Sequence, residues 1–133
     1  MVKLNKKVLF TSVALLFVFF SIQQLQAVDT IDVKQTQSLT RQGALLLDVR
    51  EPDEYREAHA PDATLIPLGQ LGERVNEIAA YKDKPVNVIC RSGVRSAKAA
   101  RLLQNAGFSQ VNNVDGGMTA WEKADLSVIR ESE

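Results

Sequence analysis

The only cysteine of this 133-residue chain stands at the head of a short basic loop. Small residues in the loop allow the backbone to curl, so that successive N–H groups can point at one anion. Two arginines and the positive end of a following helix would lower the pKa of the thiol. The pattern predicts a nucleophilic thiolate in an anion-binding cradle rather than an inert core cysteine. The cradle consists of Cys90, Arg91, Ser92, Gly93, Val94, Arg95 and Ser96.

Short apolar runs alternate with segments of helical spacing, which is typical of an α/β domain with a central parallel sheet. Strands are predicted at 31–33, 44–49, 63–66, 85–89 and 111–114. Helices are predicted near 38–42, 53–58, 70–81, 97–106 and 118–124. Ligands bind at the C-terminal ends of parallel strands, and Cys90 directly follows the predicted strand 85–89. The predicted fold therefore places the Cys90 thiol at the C-terminal edge of the sheet, where ligands of parallel α/β domains bind.

Four blocks of the sequence resemble the motifs of the rhodanese-like sulfurtransferases, in particular the thiosulfate-using type. They are 48–55 (DVREPDEY), 59–68 (HAPDATLIPL), 90–96 (CRSGVRS), and Gly116-Gly117-Met118 with Trp121. The resemblance covers roughly residues 31–128 and implies one rhodanese-like domain over 28–133. Its implied core is a mostly parallel five-stranded sheet flanked by helices. The sequence departs from the family pattern in turns, at Ala58, Ala60, Asp62 and Asp125; the two aspartates stand where glycine is usual.

The resemblance implies that Cys90 carries sulfur in a two-step transfer. Its thiolate would attack the outer sulfur of thiosulfate, release sulfite and become a persulfide, which cyanide or a thiol acceptor discharges. Arg91 and Arg95 would attract the anions, and backbone N–H groups from Arg91 to Ser96 would hold the transferred sulfur. No cofactor is implied. One cysteine and one histidine cannot build a usual zinc site.

Other residues of these blocks are expected to support the site. Asp48 and Arg50, at the end of a buried strand, would brace the loop by hydrogen bonds. The single histidine, His59, would pack and hydrogen-bond structurally, with general-base catalysis as the weaker interpretation. Met118 and Trp121 would pack in the core or against a loop. Gly116 and Gly117 would form a turn.

Two other functions compete with this interpretation. A cysteine phosphatase or arsenate reductase needs Cys-x5-Arg, whereas this loop reads Cys-x4-Arg, which fits a single sulfur atom better than a phosphate. The second alternative is a non-enzymatic module that carries persulfide sulfur for a partner protein or senses redox state. A carrier would form the persulfide rapidly but turn over little with cyanide, whereas an enzyme would do both.

The first 27 residues have the pattern of a secretory signal peptide. A basic start at 1–7 precedes an almost uninterrupted apolar run at 8–22, and the small residue Ala27 marks the expected cleavage point. Fifteen residues of helix span about 22 Å, short of the roughly 30 Å of a hydrocarbon core. We therefore expect a periplasmic or secreted protein. An uncleaved membrane anchor is the alternative.

The mature segment 28–133 keeps all sixteen acidic residues but thirteen of the sixteen basic ones, for a net charge of −3. This balance argues against a nucleic-acid-binding protein. A single domain without a long apolar patch predicts a monomer.

A lone thiol in an oxidising compartment is exposed to oxidation. We therefore expect a thiol-reducing or sulfur-accepting protein partner as well as small-molecule substrates.

Overall fold

The computed structural model describes residues 27–131, so the predicted leader lies outside the described residues except for Ala27. The described strands are β1 (Asp29–Ile31), β2 (Leu45–Asp48), β3 (Thr64–Leu65), β4 (Val86–Ile89) and β5 (Val111–Val114). They form one five-stranded sheet in the order β1-β5-β4-β2-β3, and every neighbouring pair is parallel. The predicted α/β fold is confirmed, and the sheet is wholly parallel rather than mostly so.

Helices cover both faces of this sheet. They are α1 (Val33–Arg41), α2 (Pro52–Glu57), α3 (Leu68–Arg74), a 3-10 helix (Val75–Tyr81), α4 (Val94–Asn105) and α5 (Gly117–Lys123). Residues of α3, the 3-10 helix and α4 share one buried cluster with Leu47 and Val88. Residues of α1 and α5 share the other cluster with Leu46 and Ile89. Because β2 and β4 are covered on both faces, every residue of the two strands is buried, including the polar Asp48 and Asn87.

The first strand and helix begin earlier than the sequence pattern predicts. The Asp32 carboxylate accepts a hydrogen bond from the Gln35 N–H at 2.7 Å, which caps the N-terminus of α1. The helix therefore starts at Val33 and the preceding strand ends at Ile31. The predicted strand at 31–33 and the short helix at 38–42 are wrong in these boundaries.

Two further helices differ from prediction. The segment expected to form one helix at 70–81 is α3 followed by a 3-10 helix, with a break at Ile78, whose φ is −115°. Helix α4 begins at Val94 rather than near residue 97, because Gly93 supplies the left-handed N-cap at φ 106°. The second difference brings the N-terminus of α4 into the cysteine loop.

The helices of residues 27–131 are all too short or too polar to span a lipid bilayer.

Candidate active site

Cys90 lies at the C-terminal edge of the sheet, immediately after β4. Ile89 pairs with Asp48 of the neighbouring strand β2, and Val88 pairs with Asn113 of β5 on the other side. The chain then turns through Arg91, Ser92 and Gly93 into α4. The Cys90 residue is only 1% exposed. The thiol is therefore covered by its own loop and held between two strand ends.

The sulfur of Cys90 lies within hydrogen-bonding distance of two groups of its loop. The Gly93 N–H donates to Sγ at 3.1 Å, and the Ser96 Oγ lies 3.2 Å from Sγ. Burial raises the pKa of the thiol, but the Ser96 hydroxyl and the backbone N–H groups of Ser96, Gly93 and Ser92 lower it. The hydrogen bonds outweigh burial, so the pKa of Cys90 lies below its ordinary value. This is the environment of a thiolate nucleophile.

Asn113, which the sequence motifs do not mark, holds the loop from β5. Its Oδ1 accepts a hydrogen bond from the Ser96 hydroxyl at 2.6 Å, and its Nδ2 donates to the Gly93 carbonyl at 3.0 Å. A hydroxyl carries one proton, so Ser96 can donate to Asn113 or to Sγ but not to both. Asn113 therefore positions the two residues that contact the sulfur. It stands in a strand segment (VNNV) whose polar residues give no sequence signal for this role.

The N-terminus of α5 forms the floor of the loop. The Met118 N–H donates to the Cys90 carbonyl at 2.8 Å, and the Thr119 N–H donates to the Arg91 carbonyl at 3.0 Å. Gly117 has a φ of 52°, and a Cβ placed there would collide with the Cys90 carbonyl oxygen and approach the Arg91 carbonyl carbon to 2.7 Å. The prediction that the glycine pair only forms a turn is incomplete, because Gly117 also permits this backbone contact.

The two arginines of the loop have different surroundings. The guanidinium of Arg95 forms a two-pronged ion pair with the Glu54 carboxylate of α2, at 2.7 and 2.9 Å. Arg91 has no ion-pair partner among residues 27–131. It lines a cleft of about 300 Å³ together with Arg50, Glu54, Glu57, Glu122 and Arg130. Arg91 is therefore the loop arginine whose charge is available to an incoming anion.

Two further residues of the loop lie at the protein surface. Ser92 and Val94 are exposed, and Val94 at 65% is the more exposed of the two large apolar side chains that stand out among the described residues. Ser92 contributes its backbone N–H to the field around the sulfur. The seven residues predicted from the sequence thus comprise the loop 90–93 and the start of α4, and Ser92, Gly93 and Ser96 are the ones that act on Sγ.

Asp48 and Arg50 form a buried ion pair, with Arg50 Nη2 2.7 Å from Asp48 Oδ2. Arg50 also donates to the carbonyl oxygens of Ala58 at 2.8 Å and of Glu54 at 3.3 Å. In the described part of the chain, neither side chain hydrogen-bonds to the loop 90–96. Their predicted bracing role is therefore indirect: they hold α2, which carries the Glu54 partner of Arg95.

His59 has structural contacts, as expected. Its ring stacks on Tyr55 at a centroid distance of 3.7 Å, and Nδ1 lies 2.8 Å from the Tyr55 carbonyl oxygen. The backbone of His59 pairs with Ile129 and so anchors the C-terminal segment. Residues 27–131 contain no group of three or more His, Cys, Asp or Glu side chains that could hold a metal ion.

Comparisons with known proteins agree with this geometry. The family model described as Rhodanese-like domain matches residues 32–124. The thiosulfate sulfurtransferase GlpE of Pseudomonas syringae pv. syringae is 40% identical over 91 residues, which cover 68% of this chain and 84% of GlpE. Two Bacillus subtilis proteins, the uncharacterized protein YqhL and the putative sulfur carrier protein YrkF, are each 45% identical. Those alignments cover 59% and 57% of this chain, and 60% and 40% of the two relatives.

A solved structure supports the same assignment. The rhodanese-related protein of Thermoplasma volcanium superposes with a TM-score of 0.69 at 30% sequence identity, covering 77% of this chain and 99% of that protein. This chain therefore belongs to the family of rhodanese-like domains.

Proposed function

We propose that this protein transfers sulfane sulfur from thiosulfate to cyanide or a thiol acceptor through a persulfide on Cys90. The observation that carries the proposal is the contact of Sγ with the Gly93 N–H at 3.1 Å and the Ser96 hydroxyl at 3.2 Å. These donors favour the thiolate before reaction and can hold negative charge at the loop afterwards. The similarity to GlpE, which is named a thiosulfate sulfurtransferase, supports the same donor.

The proposed reaction has two displacement steps. The Cys90 thiolate attacks the outer sulfur of thiosulfate, a new S–S bond forms, and sulfite leaves with the electron pair of the old S–S bond. Cyanide or a thiolate then attacks the terminal sulfur of the persulfide and regenerates the Cys90 thiolate. Because only one sulfur atom passes through the loop, the nearly complete burial of Cys90 suits this chemistry.

A carrier role is the second candidate. It is favoured by the 45% identity to YrkF, which is named a putative sulfur carrier protein. In that role a protein thiol would take the persulfide sulfur directly, and cyanide would be a poor acceptor. The exposed Val94 beside the loop would then lie in the contact with the acceptor.

We further propose export to the periplasm or beyond, with cleavage after Ala27 and a monomeric mature domain. The basic and apolar pattern of residues 1–27 supports export, and the alternative is retention as a membrane anchor. A thiol-reducing partner would keep Cys90 active there. Cell fractionation with intact mass of the recovered protein tests the cleavage, and equal activity with and without reductant after isolation would contradict the need for that partner.

The first test compares the intact mass of the mature domain and of Cys90→Ala before and after thiosulfate. We expect a gain of about 32 Da, one sulfur atom, on the wild type alone, removed by cyanide with release of thiocyanate. A sulfur adduct that cyanide removes only slowly, while a protein thiol removes it rapidly, would favour the carrier. Absence of any adduct on Cys90 would refute both candidates.

A further inference from the structure

The ion pair between Glu54 and Arg95 removes one positive charge from the loop. Both carboxylate oxygens of Glu54 face the guanidinium, at 2.7 and 2.9 Å, and each side chain is partly buried. The hydrogen bond from Arg95 lowers the pKa of Glu54 from 4.5 to about 2, against the opposing effect of burial. Glu54 is therefore ionised at neutral pH, and Arg95 is neutralised by it while Cys90 reacts.

Two other arginines near the loop are paired with carboxylates, whereas Arg91 has no such partner among residues 27–131. Arg50 pairs with Asp48 at 2.7 Å, and Arg130 pairs with Glu122 at 3.5 Å. The cleft that Arg91 lines nevertheless balances its charges, with three arginines, Arg50, Arg91 and Arg130, and three glutamates, Glu54, Glu57 and Glu122. The side chains around the loop thus provide little net positive charge. Backbone N–H groups provide most of the local stabilisation of an anion.

We propose that Glu54 is a positioning residue for Arg95 that sets the donor specificity of the Cys90 loop by charge. With Arg95 neutralised, the loop still accepts thiosulfate, but less readily than its two arginines alone would allow. It favours sulfane-sulfur donors that carry a single negative charge, the class of organic persulfides and thiosulfonates. This inference rests on the proposed sulfur transfer through Cys90 and specifies which donors that transfer uses best.

Two donors separate this effect from the reactivity of the thiolate. In thiosulfate, attack by Cys90 breaks the S–S bond and releases sulfite with two negative charges. In methanethiosulfonate, the same attack releases methanesulfinate with one. Both leave the same Cys90 persulfide, and both depend equally on the thiolate fraction. The ratio of their second-order rate constants therefore reports donor charge and cancels any change in the pKa of Cys90.

The experiment measures this ratio for the wild type, Glu54→Gln and Glu77→Gln, by quenched intact-mass kinetics of persulfide formation. Glutamine at 54 keeps an acceptor for the Glu51 N–H and for Arg95 but removes the charge. Glu77→Gln is the matched control, because it breaks a surface ion pair with Arg74 and changes the net charge equally. We expect Glu54→Gln to raise the thiosulfate-to-methanethiosulfonate ratio about three- to tenfold at low salt. Glu77→Gln should leave the ratio unchanged.

Ionic strength supplies a second measurement that needs no variant. Between about 10 mM and 1 M salt the Debye length falls from roughly 30 to 3 Å. The wild-type rate constant with thiosulfate should change little over this range, because the positive and negative side chains around the loop nearly balance. The Glu54→Gln rate constant should fall several-fold.

The inference is overturned if the wild-type rate constant with thiosulfate falls with salt as steeply as that of Glu54→Gln. It is also overturned if folded Glu54→Gln has the same donor ratio as the wild type. In both cases a normal Cys90 persulfide leaves the proposed function intact. If neither donor forms a persulfide on the wild type, the proposed function fails, and with it the inference.

Discussion

At the scale of single residues, the reactivity of Cys90 depends on one hydroxyl proton. Ser96 donates to Asn113 at 2.6 Å when the sulfur is a thiol, and it can turn toward Sγ, 3.2 Å away, when the sulfur is a thiolate. Ionisation of Cys90 therefore competes with a short neutral hydrogen bond. The Gly93 N–H contact does not compete, because a backbone N–H has no alternative orientation. The two donors thus contribute to the thiolate in different ways.

Replacing Ser96 with alanine should reduce the reactivity of Cys90. The thiolate loses one donor, and a hydrogen bond to a charged group is worth about 1.5–3 kcal/mol. We expect the pKa of Cys90 to rise and its alkylation by iodoacetamide at neutral pH to slow roughly fivefold or more. The measurement is the pH dependence of the alkylation rate.

Ser92→Ala is the control for this substitution. It makes the same chemical change in the same loop, and both variants keep their backbone N–H groups. The Ser92 side chain is exposed, and Ser92 acts on the sulfur only through its backbone. Its alkylation profile should match that of the wild type. Equal slowing in both variants would show that the Ser96 hydroxyl has no special role.

At the scale of elements, α5 supports the loop from below. Its first N–H groups bond to the carbonyls of Cys90 and Arg91, which turns those carbonyls away from the sulfur and leaves the loop N–H groups directed inward. The close approach needs glycine at 117. Asp62 and Asp125, which replace glycines of the family pattern, retain positive φ values of 64° and 56°. Aspartate tolerates this region better than most residues, which explains how both turns persist.

Gly117→Ala should destabilise the protein and disrupt the loop. The added methyl group meets the Cys90 carbonyl oxygen, so backbone must move, and we expect a loss of about 3 kcal/mol or more in the free energy of unfolding. Persulfide formation should fall with it. Chemical denaturation and the intact-mass assay report the two effects.

Gly43→Ala is the matched control, because Gly43 has a φ of 101° but nothing within 4 Å of an added Cβ. Its free energy of unfolding should fall by only about 1–2 kcal/mol, the cost of a non-glycine residue at positive φ. Persulfide formation should be retained. If both variants lose the same stability and both retain the chemistry, the contact of Gly117 with the loop is not important.

At the scale of the whole molecule, the site joins three neighbouring strands. Strand β2 leads into α2 and Glu54, β4 leads into the cysteine loop and Arg95, and β5 carries Asn113. The Glu54–Arg95 pair connects residues 41 positions apart. The buried Arg50–Asp48 pair holds α2 in place for it. The same two ion pairs therefore stabilise the fold and position the residues of the site.

The depressed pKa of Glu54 predicts a pH dependence of stability. A carboxylate whose folded pKa is about 2 and whose ordinary value is 4.5 stabilises the fold above 4.5, and this contribution is lost as pH falls toward 2. The pair is a quarter to a third exposed, so solvent screening reduces its contribution to roughly 1–2 kcal/mol.

Glu54→Gln tests this dependence, because glutamine does not titrate. The difference in free energy of unfolding between wild type and variant should be largest near neutral pH and should shrink as pH drops from about 5 toward 2. Urea denaturation across this range measures it. A constant difference would contradict the assigned pKa shift.

Much of the fold and the chemical centre could be predicted from the sequence. A continuous apolar run predicts β2 because both faces of a parallel sheet are covered, and the segment PVNVI before Cys90 predicts β4. Small residues after Cys90 predict a loop whose N–H groups converge. These features depend on neighbouring residues along the chain. The boundaries of α1 and α4 were missed because each is set by one capping residue, Asp32 or Gly93, rather than by periodicity.

The partners of the loop were decided only by the tertiary structure. The order β5-β4-β2 brings Asn113 and α2 to the two sides of Cys90, and no local pattern encodes which strands become neighbours. The same order converts Arg95 from an expected anion-binding residue into the partner of Glu54. The sequence by itself predicts the candidate nucleophile and its cradle, because both lie within seven consecutive residues. The charge, the proton donors and the floor of that cradle come from residues distant in the chain, which only folding brings within hydrogen-bonding distance.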